Sequence, residues 1–195
     1  MSTSHNPLFP IFLKANQLNI LIVGAGNVGA EKLFFLLKSS PDAKVTVVSD
    51  EISEEVKTIA AEYPQVNIYQ KSFHADDLLS VDIVIAATNN KATNVAIRST
   101  AKEKGILVNV ADTPDLCDFY LGGIVTKGDL KIAISTNGQS PTFAKRFRQV
   151  LEETLPDSIP EMLVNLRAIR DQLKGDFGSK VKKLNELTAV LTDKL

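Results

Sequence analysis

Three groups of residues have the types and spacing that chemistry needs. The first is the run Asn19-Ile20-Leu21-Ile22-Val23-Gly24-Ala25-Gly26-Asn27-Val28-Gly29, an apolar stretch that enters a G-x-G-x-x-G turn. In such a turn Gly24 allows a tight exit from a strand, and Gly26 has no side chain to keep a pyrophosphate from the backbone. Gly29 lets the following helix pack close to the sheet. The free N–H groups and positive dipole end of that helix favour phosphates. Glycine-rich turns also occur without nucleotides. Here the apolar run before the turn and the apolar-faced segment 31–37 after it supply the context of a dinucleotide site.

The second group is a set of polar residues expected at strand ends. Asp50 lies 21 positions after Gly29, at the end of the next β-branched run, with Glu51 beside it. An acidic residue there accepts hydrogen bonds from the adenosine ribose and repels a 2′-phosphate, so NAD is expected over NADP. The competing reading makes Asp50 part of a solvated turn or a cap for the next helix. Thr88 and Asn89, in Ala87-Thr88-Asn89-Asn90, should border the cofactor, although Asn89 or Asn90 could instead cap a helix. Asp112 ends the run Val108-Asn109-Val110-Ala111-Asp112. A carboxylate on the ligand face of a sheet can take a proton as hydride leaves a substrate. Its alternative role is to start the turn ahead of Pro114.

The third group is Ser135-Thr136-Asn137-Gly138-Gln139-Ser140-Pro141, followed by Lys145, Arg146 and Arg148. Hydroxyls, helix N–H groups and nearby cations suit a substrate bearing several carboxylates, with Ser135, Thr136, Asn137 and Ser140 as the candidate contacts. A capped helix with a solvated basic face is the competing reading.

These residues must be positioned by regular elements. Ile20–Val23, Lys44–Val48, Val66–Tyr69, Asp82–Ala86 and Ile106–Val110 read as strands, and 31–37, 54–62 and 94–104 as helices between them. Alternation of this kind predicts βαβ units and a Rossmann-type parallel sheet. Beyond Asp112 the pattern changes. Gly123–Thr126 and Asp129–Ser135, separated by Lys127-Gly128, suggest an antiparallel hairpin. A helix then runs from Pro141 to about Leu155, with Phe143, Phe147, Val150 and Leu151 on one face. Pro156 and Pro160 are read as its stops. The segment 161–195 is helical again, with a break near Gly175–Gly178. The expected organisation is an NAD-binding domain over 1–113, a hairpin-plus-helix segment over 114–155 and a helical tail over 156–195.

Composition narrows the classes of function. The net charge of −1 gives no general attraction for nucleic acid or anionic membrane, and neither is expected as a partner. Cys117 is the sole cysteine, so no intrachain disulfide can form. It is read as a small buried residue in a cytoplasmic protein. His5 and His74 have no metal-spaced partners, and no metal site is expected. The apolar run Leu8–Leu13 is interrupted by Pro10 and lacks signal-peptide flanks. No stretch reaches the roughly 18 apolar residues of a membrane helix.

Five pieces in order carry a family resemblance: Leu8–Leu13, Val23–Lys32, Ala86–Asn89, Val108–Asp112 and Ala133–Pro141. Together they resemble the precorrin-2 dehydrogenase module of siroheme synthases over most of residues 7 to 155. The resemblance implies NAD-dependent oxidation of precorrin-2 to sirohydrochlorin, with insertion of Fe2+ in several members, by a homodimer paired through the middle segment and tail. It implies that Asn27 and Val28 contact NAD from the glycine loop and that Asp50 and Glu51 lie at its adenosine end. It also implies that Asp112 is the acidic catalytic residue and that Ser135-Thr136 faces the tetrapyrrole. The chain departs from the family pattern at Tyr120-Leu121-Gly122-Gly123, where relatives often carry proline, and at Thr136, which is serine in some members. A non-catalytic NAD-sensing module is the alternative from another class, since fold does not fix function. A dehydrogenase for another small substrate is a third, although only about 80 residues follow Asp112.

Overall fold

Short β-branched runs alternate with helices, and they pair as that alternation dictates. The computed structural model describes residues 6–189, so His5 and the end of the tail lie outside the described residues. Strands β1 (Asn19–Ala25), β2 (Lys44–Ile52), β3 (Asn67–Gln70), β4 (Ile83–Ala86) and β5 (Leu107–Val110) form one parallel sheet in the order β3-β2-β1-β4-β5. The chain order reverses between β1 and β4, which makes their carboxyl ends the switch point where an open α/β sheet binds ligands.

The two-residue period of β1 divides the core. Ile20 and Ile22 face Ala30, Leu33 and Leu37 of α1 (Asn27–Ser39) and Val56 and Ile59 of α2 (Glu54–Glu62). Leu21 and Val23 face Ile97 and Ala101 of α3 (Lys91–Glu103) on the other side. Leu33 and Leu37, one helical turn apart, are fully buried. Each such burial contributes roughly 1.5–3 kcal/mol. The sheet is thus covered on both faces, as its continuous apolar runs require.

The residues divide into two compact units. The first runs through Gly122 and includes Ser135–Ser140. The second holds the hairpin β6 (Gly123–Lys127) and β7 (Leu130–Ile134) with helices α4 (Pro141–Thr154), α5 (Ile159–Gln172) and α6 (Phe177–Thr188). Lys127 pairs with Leu130, so the turn is Gly128-Asp129, one residue later than the spacing suggested. Gly128 has φ +58°, a conformation that two-residue hairpin turns need and glycine supplies. Pro160 does not stop a helix. It sits in the first turn of α5, where a missing N–H costs nothing. Within its unit α4 buries no residue: Phe143, Phe147 and Val150 are 57%, 42% and 52% exposed, and the two rings stack at 5.8 Å.

A candidate dinucleotide and substrate site

The turn after β1 has little freedom to be anything but glycine. Gly24 has φ +105°, and a Cβ there would lie 2.5 Å from the Ala87 carbonyl oxygen. A Cβ on Gly29 would lie 2.0 Å from the Gly24 carbonyl oxygen. Gly26 differs: a Cβ there would meet nothing within 4 Å, so this glycine faces open space. Gly26 is also the N-cap of α1. It offers no side-chain acceptor to the first-turn N–H groups, and no acidic residue lies in that turn. The N–H groups of Asn27, Val28 and Gly29 have no partner within the helix, by its geometry. An open cradle of N–H groups at a positive helix end fits a pyrophosphate.

The neighbouring strand ends close around that turn. Ala87 N–H donates to the Val23 carbonyl at 2.8 Å, and Ala111 N–H donates to the Ala86 carbonyl at 2.9 Å. The sequence-expected Thr88 therefore follows the β1–β4 ladder at the switch point, and the turn that carries Asp112 follows the next ladder, between β4 and β5. Asp50 lies in β2 where the pairing with β1 slips. Val23 opposes Val48 but Ala25 opposes Ile52, so Ser49–Glu51 bulges beside Gly24. The Asp50 carboxylate accepts a hydrogen bond from the Ser72 hydroxyl, and Asp50 and Glu51 are exposed. Asp50 does not cap α2, because Ser53 Oγ accepts from Val56 N–H at 3.3 Å.

Asn90 does cap α3, accepting from Thr93 N–H at 3.2 Å, while Asn89 is exposed. Asp112 is exposed, with φ +57° in the turn that leaves β5. Asp is among the few side chains that tolerate this left-handed region. In Ser135–Ser140 the hydroxyls are engaged locally: Ser135 Oγ accepts from Asn137 N–H at 3.2 Å and Thr136 Oγ1 from Ser140 N–H at 3.1 Å. Asn137 also has positive φ, +52°. Arg148, counted from the sequence among the cations beyond this loop, is ion-paired to Glu152 one turn on.

Residues 11–123 match the family model described as "Putative NAD(P)-binding", and residues 127–154 match that of the "Sirohaem biosynthesis protein central" segment. The chain belongs to the NAD(P)-binding family of sirohaem biosynthesis. Among its relatives in that family, the siroheme synthase of Pseudoalteromonas atlantica is 35% identical over 90% of this chain and 37% of its own. That of Nitrosomonas eutropha is 36% identical over 87% of this chain and 35% of its own. The chain thus spans about a third of the length of these curated relatives. A solved structure of SirC, precorrin-2 dehydrogenase, superposes with a TM-score of 0.75 at 26% identity, covering 92% of this chain and 89% of that one.

Sequence reasoning missed the supporting contacts that four residues make around the candidate site. Asn94, only 6% exposed, accepts from Thr88 Oγ1 at 2.7 Å and from Thr88 N–H at 3.3 Å, and donates to the Thr88 carbonyl at 3.0 Å. The i, i+3, i+7 stripe Asn94, Ile97, Ala101 marks it as inward-facing. The other three are Asn109, Cys117 and Asp118, which close the free edge of β5. Asp118 N–H donates to the Val108 carbonyl at 2.8 Å, and Val108 N–H donates to Asp118 Oδ2 at 3.0 Å. Asn109 Nδ2 donates to the Phe119 carbonyl at 2.8 Å. Burial works against the charged Asp118 carboxyl. The Lys102 hydrogen bond, the Val108 N–H and the charges of Lys102 and Arg98 outweigh it and hold its pKa below the ordinary value.

Proposed function

We propose that this chain binds NAD across the carboxyl ends of β1, β2 and β4 and oxidises precorrin-2 to sirohydrochlorin, with Asp112 as the base. The observation that carries the reading is the open Gly26 cradle at the switch point, with the Asp112 turn at the carboxyl end of β5, one strand beyond β4 on the same end of the sheet. The likeness to a precorrin-2 dehydrogenase over nearly the whole chain supports the substrate.

In this mechanism the first-turn N–H groups of α1, at Asn27, Val28 and Gly29, hold the pyrophosphate. Asp50, with Glu51 beside it, receives the adenosine ribose, and Thr88 and Asn89 border the cofactor. NAD, when bound, supplies the hydride acceptor. One hydride and one proton leave the macrocycle, and Asp112 takes the proton. The loop residues Ser135, Thr136, Asn137 and Ser140 meet the substrate's polar groups. A homodimer joined through the apolar face of α4 completes the reading, because a face left exposed to this extent marks an interaction surface.

The test is direct. Purified protein with precorrin-2 and NAD should form NADH and the sirohydrochlorin spectrum together. NAD binding without turnover would favour a nucleotide sensor instead. The siroheme synthase names of the relatives favour a second activity, insertion of Fe2+ into sirohydrochlorin. Among the described residues no group of three or more His, Cys, Asp and Glu could hold a metal, so iron would be held by the macrocycle nitrogens. Equal chelation rates with and without the protein would restrict it to dehydrogenation.

A further inference from the structure

β5 is the last strand of its sheet, and the outer N–H and C=O groups of an edge strand need partners. The segment 116–119 folds back to supply them. It is tied to α3 at two points, by the 2.9 Å Lys102–Asp118 ion pair and by Arg98 Nε donating to the Leu116 carbonyl at 3.1 Å. Within this segment Cys117 alone reaches both ends of the turn that carries Asp112. Its Sγ accepts from Val110 N–H at 3.2 Å and lies 3.2 Å from the Val110 carbonyl and 3.4 Å from that of Thr113. Asn109 Nδ2 approaches the same sulfur at 3.5 Å. A thiol has one proton, so it donates to one of the two carbonyls at a time while accepting from Val110.

We propose that Cys117 is a positioning residue for Asp112: its thiol spans the turn from Val110 to Thr113 and fixes the backbone from which the Asp112 carboxylate projects. This rests on the reading of Asp112 as the base. A non-glycine residue at positive φ persists only where its surroundings over-determine it: Thr113 N–H closes the turn onto the Val110 carbonyl at 3.3 Å, Leu116 N–H donates to the Thr113 carbonyl at 3.0 Å, and the thiol contacts add a tie from outside at both ends. The thiol keeps its proton at neutral pH. Burial pushes its pKa up and outweighs the opposing Val110 N–H, while the smaller effects of the Asp118 and Arg98 charges raise and lower it respectively. A sulfur that served only as filler would be replaced without loss by any apolar group of similar volume.

The experiment compares Cys117→Ala, Cys117→Val, Cys117→Ser and Asp112→Asn with the wild-type chain in precorrin-2 oxidation, with melting temperatures measured in parallel. Valine keeps the volume without the hydrogen bonds, and serine keeps one donor and acceptor. The alanine and valine variants should lose about tenfold in kcat, with the NAD KM within about twofold, and serine should recover kcat to within about threefold. Wild-type kcat in a folded alanine or valine variant, a loss seen in the NAD KM instead of kcat, or failure of both variants to fold would each overturn the proposal. Full activity in Asp112→Asn would overturn the role of Asp112 itself. An inactive Asp112→Asn beside a fully active Cys117→Val would overturn only that of Cys117.

Discussion

The buried carboxamide of Asn94 grips Thr88 from three directions, accepting from its hydroxyl at 2.7 Å and its backbone N–H at 3.3 Å and donating to its carbonyl at 3.0 Å. One side chain in α3 thus fixes the loop that closes over Gly24. Asn94→Ala removes the partner of the Thr88 N–H and carbonyl, while the hydroxyl keeps the Asn90 carbonyl at 3.1 Å, at a cost of about 1–3 kcal/mol. For a chain of this size each kcal/mol lowers Tm by roughly 2–4 °C. Calorimetry should show that fall, and a titration with NADH should show weaker binding. An unchanged Tm would mean that the loop is held by other contacts.

The glycines of the turn should separate folding from binding. Gly29→Ala drives a Cβ into the Gly24 carbonyl, and its Tm should drop. Gly26→Ala meets no protein atom, so its Tm should match the wild type while NADH affinity falls at least about tenfold, a loss of about 1.4 kcal/mol. Intact affinity in Gly26→Ala would remove the pyrophosphate from this cradle.

Asp118 gives a stability signature in acid. Its folded pKa is depressed, so its contribution is present above the unfolded value and is lost as pH falls through the folded one. The ordinary carboxylate value is about 4. Denaturant unfolding of wild type and Asp118→Asn should show a constant difference from neutral pH down to about 5, shrinking below about 4. Asp77 is also depressed, because its bonds to Lys71 and His74 N–H outweigh its burial, but it is common to both proteins and cancels. A difference that persists undiminished to pH 2 would assign the effect to packing.

The sheet was legible because β-branched runs and helix periods follow local rules, and Ile20 to Val23 alternate faces as a strand must. The glycine turn was legible for the same reason: each glycine answers a local steric demand. The slip at Ser49–Glu51 was not, since it depends on how β2 meets β1. Pro160 misled because proline ends one helix as readily as it begins another. The reach of Cys117 to both Val110 and Thr113 exists only once the segment after Pro114 folds back on β5.

The apolar face of α4 predicts association. Phe143, Phe147 and Val150 lie together and exposed, and a charge among them should disrupt a dimer without unfolding the helix. Light scattering at micromolar concentration should give a dimer for the wild-type chain and a monomer for Phe147→Asp, with matching far-UV circular dichroism. A wild-type monomer would count against the interface.

Asp112→Asn should separate the proton from the fold. Asparagine tolerates positive φ as aspartate does, so the turn, Tm and NADH affinity should be retained. The amide cannot accept the proton, and turnover should fall by about 10²–10⁴-fold. Asp112→Gly makes the complementary case. Glycine relieves the left-handed conformation, so Tm should hold or rise while turnover is lost. Loss of activity without loss of stability in both variants is the pattern of a strained residue kept for chemistry. Near wild-type turnover in Asp112→Asn would remove this carboxylate from the mechanism.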